Sequence, residues 1–215
     1  CVSRPRRRHR DWSRDAQLDQ REKTGTIFAG LEARITDDDG APLPWDGQSV
    51  GELEVRGPWI ASSYYLPPDA PQADRDEVAS KFHDGWLRTG DVAFMEQDGY
   101  FRIVDRAKDL VKSGGEWISS VELENEIMGH PAVAEAAVIG VPHEKWQERP
   151  LACVVLREGQ ELSRDDLLSY LADRVAKWWL PDDVVFIDEV PKTSVGKFSK
   201  KTLRDQFADY QLPTA

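Results

Sequence analysis

Short apolar stretches separated by turn sequences run through the first half of the chain, a pattern typical of antiparallel strands. Residues 51–57 alternate polar and apolar side chains, as a half-buried strand does. An Asp-Gly hairpin signal at 97–99 separates two further apolar stretches. Strands are predicted at 26–36, 51–57, 87–95 and 100–104, with a turn at 37–40 and a loop at 67–76. We therefore expect residues 24–105 to form one antiparallel sheet or small barrel.

After residue 105, helical patterns alternate with strand patterns. Ser-Ser-Val-Glu at 119–122 is a capping-box sequence and predicts the start of a short helix. Leu167 and Leu171 recur at helical spacing after Ser163, which predicts a second helix. A last helix is predicted at 199–207, and strands at 132–141, 151–156 and 184–187. The expected fold class is α+β, with an antiparallel β-rich part followed by a small α+β domain at 106–215.

The composition narrows the class of protein. The chain has 215 residues, of which 40% are hydrophobic and 31% charged, so we expect a soluble globular protein. The sequence contains no run of about 18 apolar residues, so we expect no membrane span. The first residues contain no apolar signal-peptide core. The two cysteines, Cys1 and Cys153, form no disulfide framework and favour a cytoplasmic protein. His83, His130 and His143 lack metal-ligand spacing, so no metal site is predicted.

The formal net charge of −11 is unevenly distributed. Residues 1–14 contain one acid and these arginines: Arg4, Arg6, Arg7, Arg8, Arg10 and Arg14. We interpret residues 1–23 as a disordered basic arm. A nucleic-acid-binding arm is the alternative, which the acidity of the other residues disfavours because it would repel a phosphate backbone. Since the chain begins with Cys rather than Met, we expect a truncated, processed or excised piece.

Two charged residues are placed where they could bind a sugar. Asp91 follows Thr89 and Gly90 at a strand–turn transition, where a carboxylate can accept two hydrogen bonds from a ribose diol. Arg106 stands just past the last predicted strand, and its guanidinium fits ribose or phosphate oxygens. Each has a simpler interpretation: a turn carboxylate bonded to its own backbone, and a surface ion pair with a neighbouring aspartate. Taken alone, the residues favour the simpler interpretations.

Glycines mark two further candidate sites. Gly114 and Gly115 permit positive φ angles and would let a narrow substrate approach the backbone closely. The alternative is a glycine-rich hairpin with Trp117 packed in the core. Lys197 follows Gly196 in a short turn, where its ammonium could neutralise charge that develops on a reacting phosphate. A basic surface patch is the competing interpretation, because other lysines are close by in the sequence.

Three motifs occur in a fixed order: Gly-Trp-Leu-Arg-Thr-Gly-Asp at 85–91, Asp-Arg-Ala-Lys-Asp at 105–109 and Pro-Lys-Thr-Ser-Val-Gly-Lys at 191–197. In this order and at these separations they resemble the C-terminal part of the AMP-forming acyl-CoA synthetases, an adenylate-forming family. The resemblance covers about residues 24–210. It implies that Asp91 holds the ribose of ATP and of the acyl-adenylate and that Arg106 also contacts the ribose. It implies further that Lys197 is required for adenylation.

The resemblance also implies a hinge and a coenzyme A site. Lys108 corresponds to the hinge between the large domain and the small mobile domain, a position where some relatives have Asp. The loop at 112–119 would line the pantetheine tunnel. The coenzyme A candidates are therefore Gly114, Gly115 and Lys112. Many members of that family have Arg where Trp117 stands, and a tryptophan supplies no charged contact there. Gly-Gly-Glu-Trp-Ile at 114–118 is most similar to the bacterial medium- and long-chain fatty acyl branch.

By the resemblance, the complete enzyme would convert a carboxylic acid, ATP and Mg²⁺ into an acyl-adenylate and pyrophosphate, and coenzyme A would then displace AMP. The family's phosphate loop and its adenine- and magnesium-binding segment are not found in these residues, so the Mg²⁺ ligand is expected from a preceding part. We interpret the chain as the C-terminal portion of a fatty acid–CoA ligase acting on small molecules. The alternative is a catalytically silent fragment or an interaction module, and a homo-oligomer is left open.

Overall fold

The computed structural model describes residues 3–4, 13–15, 17, 21, 23–194 and 196–213. The chain divides into two compact units, whose boundary in the sequence lies between Ala107 and Lys108. Most of the predicted basic arm at 1–23 lies outside the described residues. Within that arm, Ser3–Arg4 forms strand β1.

Antiparallel pairing organises the first unit. Its described elements are β1 (Ser3–Arg4), β2 (Gly25–Ile27), β3 (Glu32–Thr36), β4 (Val50–Arg56), α1 (Gln72–Ser80), β5 (Phe82–His83), β6 (Trp86–Met95) and β7 (Tyr100–Arg106). The sheet order is β1-β2-β7-β6-β4-β3, with β5 paired to β6. Side chains of alternate strand positions form its apolar core, among them Ile35, Leu53, Met95 and Phe101. The predicted antiparallel sheet and its Asp-Gly hairpin are confirmed.

Two predictions about the first unit were wrong in part. The stretch at 26–36 contains two strands, β2 and β3, with a turn between them. The predicted loop at 67–76 ends at Pro71, because helix α1 begins at Gln72. This helix buries none of its residues, so it has no apolar period that the sequence could display. Local polar contacts support it instead, including hydrogen bonds from the Arg75 guanidinium to the carbonyls of Pro68 and Ala70.

The second unit contains a mixed sheet covered by helices. Its elements are β8 (Val111–Ser113), β9 (Glu116–Ile118), α2 (Ser120–Met128), β10 (Val133–His143), β11 (Gln147–Leu156), α3 (Arg164–Ala172), a 3-10 turn (Lys177–Trp179), β12 (Asp183–Phe186) and α4 (Lys200–Gln206). The order is β10-β11-β8-β9 with antiparallel neighbours, and β12 adds to β11 in parallel. The predicted α+β class is confirmed.

Each of the three helices described in the second unit begins at a serine cap. The Oγ of Ser119 accepts a hydrogen bond from the Glu122 backbone N–H at 3.2 Å, which confirms the predicted start of α2. Ser163 and Ser199 cap α3 and α4 in the same way, accepting from the N–H three residues later. Each such cap typically stabilises a helix by about 1 kcal/mol, because it satisfies one of the unpaired N–H groups of the first turn.

Helices cover both faces of this sheet. Leu123 of α2 and Leu167 of α3 are fully buried against one face, and Leu203 of α4 against the other. Adjacent residues of β10, such as Val138 and Ile139, point to opposite faces and join the two clusters separately. No described helix has the length and apolar composition needed to cross a membrane.

Candidate functional site

Asp91 and Arg106 face each other across strands β6 and β7. They are direct partners in the strand register, and Arg106 Nε lies 3.0 Å from Asp91 Oδ1. The Asp91 side chain is 23% exposed and the Arg106 side chain 58% exposed, so the pair stands at the surface with the carboxylate on the inner side. The structure therefore brings together the two residues expected to bind ribose.

The turn before Asp91 is fixed by Thr89. Its hydroxyl donates to the Leu53 carbonyl of the neighbouring strand at 2.7 Å and accepts the Asp91 backbone N–H at 3.1 Å. Gly90 has a φ of 71°, in the left-handed region that glycine enters without strain. The Gly90 carbonyl accepts the Ala107 N–H at 2.9 Å, which joins the end of β7 to the same turn. These hydrogen bonds fix the backbone of Thr-Gly-Asp and thereby the position of the Asp91 carboxylate.

A cavity of about 410 Å³ adjoins this turn. Its lining residues are Glu52, Tyr64, Ser80, Lys81, Arg88, Thr89, Gly90 and Arg106. Three of them are cationic, which suits an anionic ligand, although Arg88 donates to Glu52 and Lys81 to Glu77. Burial raises the pKa of the Asp91 carboxyl above its usual value, and the nearby Arg106 guanidinium opposes that shift.

Lys108 begins the second unit with an exposed side chain. Its backbone carbonyl accepts a hydrogen bond from Arg204 Nη2 at 3.0 Å. The same guanidinium binds Asp109 Oδ1 through both terminal nitrogens, at 3.0 and 2.6 Å. The segment that follows the boundary is therefore held by helix α4, which the sequence pattern did not reveal because the partners are 95 residues apart.

The two adjacent glycines form the tip of the β8–β9 hairpin. Gly114 and Gly115 have φ angles of 61° and 88°. The Gly114 N–H donates to the Trp146 carbonyl at 2.8 Å. A Cβ at Gly114 would come within 2.7 Å of the Trp146 ring, whereas one at Gly115 would meet no atom within 4 Å. Gly114 is thus needed for close packing, and Gly115 for its backbone conformation alone.

Trp146 belongs to the β10–β11 connection, and His143 orders that connection. The imidazole Nδ1 of His143 accepts the backbone N–H groups of Lys145 and Trp146 at 3.1 and 3.3 Å. Lys112, the third coenzyme A candidate, lies on β8, and its ammonium is 5.5 Å from the centre of the Trp117 ring. No spacing rule in the sequence predicts that Trp146 would cover Gly114.

Arg149 ties three segments together beside this hairpin. Its guanidinium donates to Asp182 Oδ1 at 2.6 Å and to Ser113 Oγ at 2.9 Å. It also donates to the carbonyls of Trp178 and Leu180 at 2.8 and 3.0 Å. A cavity of about 730 Å³ lies here, and its lining residues are Ser113, Gly114, Glu116, His143, Lys145, Trp146, Arg149, Trp178 and Asp182. Sequence reasoning missed Arg149, since only the fold reveals what its five donors reach.

Lys197 stands on a separate tight turn of the second unit. The Thr193 N–H donates to the Lys197 carbonyl at 2.7 Å, and the Gly196 N–H donates to the Thr193 carbonyl at 2.8 Å. Gly196 has a φ of 79°, which the turn requires. The Lys197 side chain is exposed, and it has no ion-pair partner among the residues described. Its ammonium is therefore available for a ligand.

Within the described ranges, no cluster of three or more histidine, cysteine, aspartate or glutamate side chains could hold a metal ion. His130 packs edge-on against Tyr170, and His143 caps the turn at Lys145. His83 lies 3.2 Å from Asp84. Each of these histidines thus has a local structural contact.

Comparison with known proteins finds one family match and several relatives. Residues 122–197 match the AMP-binding enzyme C-terminal domain. The chain is 48% identical to the 3-methylmercaptopropionyl-CoA ligase of Ruegeria pomeroyi, over 97% of this chain and 37% of that protein. It is 47% identical to the long-chain-fatty-acid–CoA ligase of Thermus thermophilus, over 92% of this chain and 36% of that protein.

A solved structure gives the same assignment. The ATP-bound MatB of Rhodopseudomonas palustris matches 87% of this chain and 36% of its own, with a TM-score of 0.74 and 35% identity. The chain thus spans little more than a third of the relatives it matches. Residues 122–197 thus match the AMP-binding enzyme C-terminal domain, and the relatives named above, which align with most of this chain, are acyl-CoA ligases.

Proposed function

We propose that this chain is the C-terminal portion of an AMP-forming acyl-CoA ligase whose substrates are a carboxylic acid, ATP and coenzyme A. In the first half-reaction, an oxygen of the carboxylic acid bonds to the α-phosphorus of ATP while the bond to pyrophosphate breaks. In the second, the coenzyme A sulfur bonds to the acyl carbon while the bond to AMP breaks. The observation that carries the proposal is the Asp91–Arg106 pair, whose arginine lines a cavity together with Lys81 and Arg88.

The nucleotide is proposed to bind through its ribose. Asp91 is acceptor-only when ionised, and Arg106 stands 3.0 Å from one of its oxygens and keeps the carboxylate oriented. The other oxygen can accept a ribose hydroxyl, and a charge-assisted bond of this kind is about twice as strong as a neutral one. The related MatB structure was determined with ATP bound, which supports a nucleotide as the ligand.

Lys197 is proposed to assist the first half-reaction. Its turn presents an exposed ammonium, and a cation near the α-phosphate stabilises negative charge that develops as the acid attacks. Magnesium would add to this by neutralising phosphate charge. Since no described cluster of side chains could hold a metal ion, we propose that its ligands come from another part of the protein.

The second half-reaction is proposed to use the β8–β9 hairpin. Gly114 and Gly115 expose backbone at the tip, and Lys112 lies on the adjoining strand. Lys108, at the boundary between the units, is the proposed hinge. Movement about a hinge is a common way for an enzyme to sequence two steps.

The acid is proposed to be a fatty acid. One relative is named a long-chain-fatty-acid–CoA ligase, which supports this choice, and another a 3-methylmercaptopropionyl-CoA ligase, so the named relatives differ in their acyl group. We also propose that the reaction occurs in the cytoplasm. Burial raises the pKa of the Cys153 thiol to about 12, so this cysteine would stay a thiol there.

Lys197→Ala in the complete protein tests the proposal. We expect ATP–pyrophosphate exchange in the presence of a fatty acid to fall by about 100-fold or more, because one electrostatic contact to the transition state is lost. Thioester formation from supplied acyl-adenylate should change by less than about twofold, since that step does not use the lysine. Lys201→Ala, which removes an exposed lysine of α4, is the matched control and should change neither rate.

Equal loss of both half-reactions in Lys197→Ala would refute the role given to this lysine. Pyrophosphate release by the purified 215-residue chain would in turn exclude the alternative of a catalytically silent fragment.

A further inference from the structure

A buried ion pair lies directly behind the Lys197 turn. Lys200 Nζ is 2.7 Å from Glu124 Oε1, and the two side chains are only 11% and 10% exposed. The same ammonium donates to Ser120 Oγ at 2.6 Å, and Glu124 Oε1 also accepts the Val138 backbone N–H at 2.7 Å. The pair therefore joins the first residue of α4 to both α2 and β10.

The turn is tied to this pair by its backbone. Lys192 and Phe198 form an antiparallel bridge, and the Ser199 N–H donates to the Pro191 carbonyl at 2.7 Å. Lys200 follows Ser199 directly, so the contacts of its ammonium restrain the backbone at the end of this bridge. Lys197 lies in the segment that the bridge closes. Lys192, on the other strand of the bridge, makes a more exposed ion pair.

That second contact joins Lys192 Nζ to Glu135 Oε1 of β10 at 2.7 Å, with side chains 45% and 30% exposed. An exposed ion pair contributes little, because water screens it and the side chains lose freedom. A buried pair is different: it adds little net stability over an apolar pair, yet removing one partner leaves an uncompensated charge. The Lys200–Glu124 pair is thus better suited to fixing a geometry than to adding stability.

We infer that Lys200 and Glu124 are positioning residues, which hold the Lys197 ammonium where adenylation requires it. The inference rests on the proposed function for its catalytic consequence. Its structural consequence, an ordered backbone at Thr193, Gly196 and Lys197, does not depend on that function. Neither residue touches the reacting atoms in this scheme; both act through the backbone of the turn.

Glu124→Gln in the complete protein tests the inference. The amide keeps the shape and can still accept the Val138 N–H, but it removes the charge that holds Lys200. We expect acyl-adenylate formation to fall by about tenfold or more, since small misplacements of catalytic groups cost that much. Thioester formation from supplied acyl-adenylate should be unchanged. Glu135→Gln, which breaks the exposed pair, is the matched control and should change adenylation by less than about twofold.

Amide hydrogen exchange on the 215-residue chain provides a readout independent of activity. Glu124→Gln should speed exchange of the Thr193, Gly196 and Lys197 amides, whereas Glu135→Gln should not. Adding Lys200→Met to Glu124→Gln removes the uncompensated charge. It should restore thermal stability without restoring adenylation.

Two results would overturn the inference: unchanged exchange of the Thr193, Gly196 and Lys197 amides in Glu124→Gln, or adenylation that recovers together with stability in the double variant. A wild-type protein without ATP–pyrophosphate exchange would overturn the proposed function instead. The exchange comparison alone would then decide whether the pair orders the turn.

Discussion

The substitution Arg149→Met tests how much one buried guanidinium contributes to the stability of the second unit. Its side chain is 12% exposed and that of Asp182 is 9% exposed. Four contacts would be lost, to Asp182, Ser113, Trp178 and Leu180. The methionine would keep most of the apolar volume, so the change isolates the polar contacts.

The expected loss of stability depends on the groups that lose the guanidinium as their partner. Removing one partner of a buried ion pair costs about 3–5 kcal/mol, because the remaining charge loses its compensation. Single hydrogen bonds to charged groups contribute about 1.5–3 kcal/mol, but such terms do not add. We therefore expect Arg149→Met to lower the free energy of unfolding of the second unit by about 3–5 kcal/mol. Asp182→Asn should cost about 1–2 kcal/mol, since the guanidinium keeps its neutral acceptors.

Urea unfolding followed by circular dichroism measures this loss, and hydrogen exchange assigns it to a unit. With a slope of about 1–3 kcal/mol per molar urea, the midpoint for the second unit should fall by at least about 1 M. Arg157→Met is the control, because the Arg157 side chain is exposed and, in the contacts described, donates only to the Pro131 carbonyl. An Arg149→Met midpoint equal to that of the control would refute the reasoning. A loss that appears equally in the β6 and β7 amides would refute it too.

Two further predictions use matched pairs. Gly114→Ala should raise the KM for coenzyme A more than Gly115→Ala does, because both φ angles are positive but only the new Cβ at Gly114 meets Trp146, at 2.7 Å; equal KM values would contradict the assignment. Burial raises the pKa of the Asp183 carboxyl, but hydrogen bonds, the strongest from Tyr210, outweigh it and leave the pKa below 3.8. When the pKa of a carboxyl group is lower in the folded state than in the unfolded state, its carboxylate stabilises the folded protein at pH values above the unfolded pKa. That stabilisation is lost as the pH falls through the folded pKa. Tyr210→Phe should therefore lower the unfolding temperature at about pH 7 but hardly at about pH 2, and an equal loss at both would contradict this.

Local patterns predicted most of the elements. The strands β4, β6 and β7 and the serine-capped helices α2, α3 and α4 have their signals within a few residues, in side-chain alternation or in a cap. Helix α1 escaped prediction because no buried face supplies a period. The break between β2 and β3 escaped because a turn can interrupt an apolar stretch without a strong turn residue at its start.

The candidate site was only partly accessible from the sequence. Motif order and the resemblance based on it made Asp91, Arg106, the two glycines and Lys197 candidates, and each stands in or beside a short turn. Arg149 and Glu124 gave no such signal, because their contacts described above are with residues distant in the sequence. The nearest is 29 residues away for Arg149 and 14 residues away for Glu124. A distant contact leaves no spacing pattern for a local rule to find.

The sequence by itself predicted the strands β4, β6 and β7, the serine-capped starts of α2, α3 and α4, and the turn residues that are candidates for the chemistry. Only the tertiary structure decided that Asp91 pairs with Arg106, that Trp146 covers Gly114 and that a buried lysine stands behind Lys197. The physical reason is range. Backbone propensity and side-chain period act within a few residues, whereas hydrogen bonds and ion pairs form wherever the sheet register and helix packing bring two groups within about 3 Å.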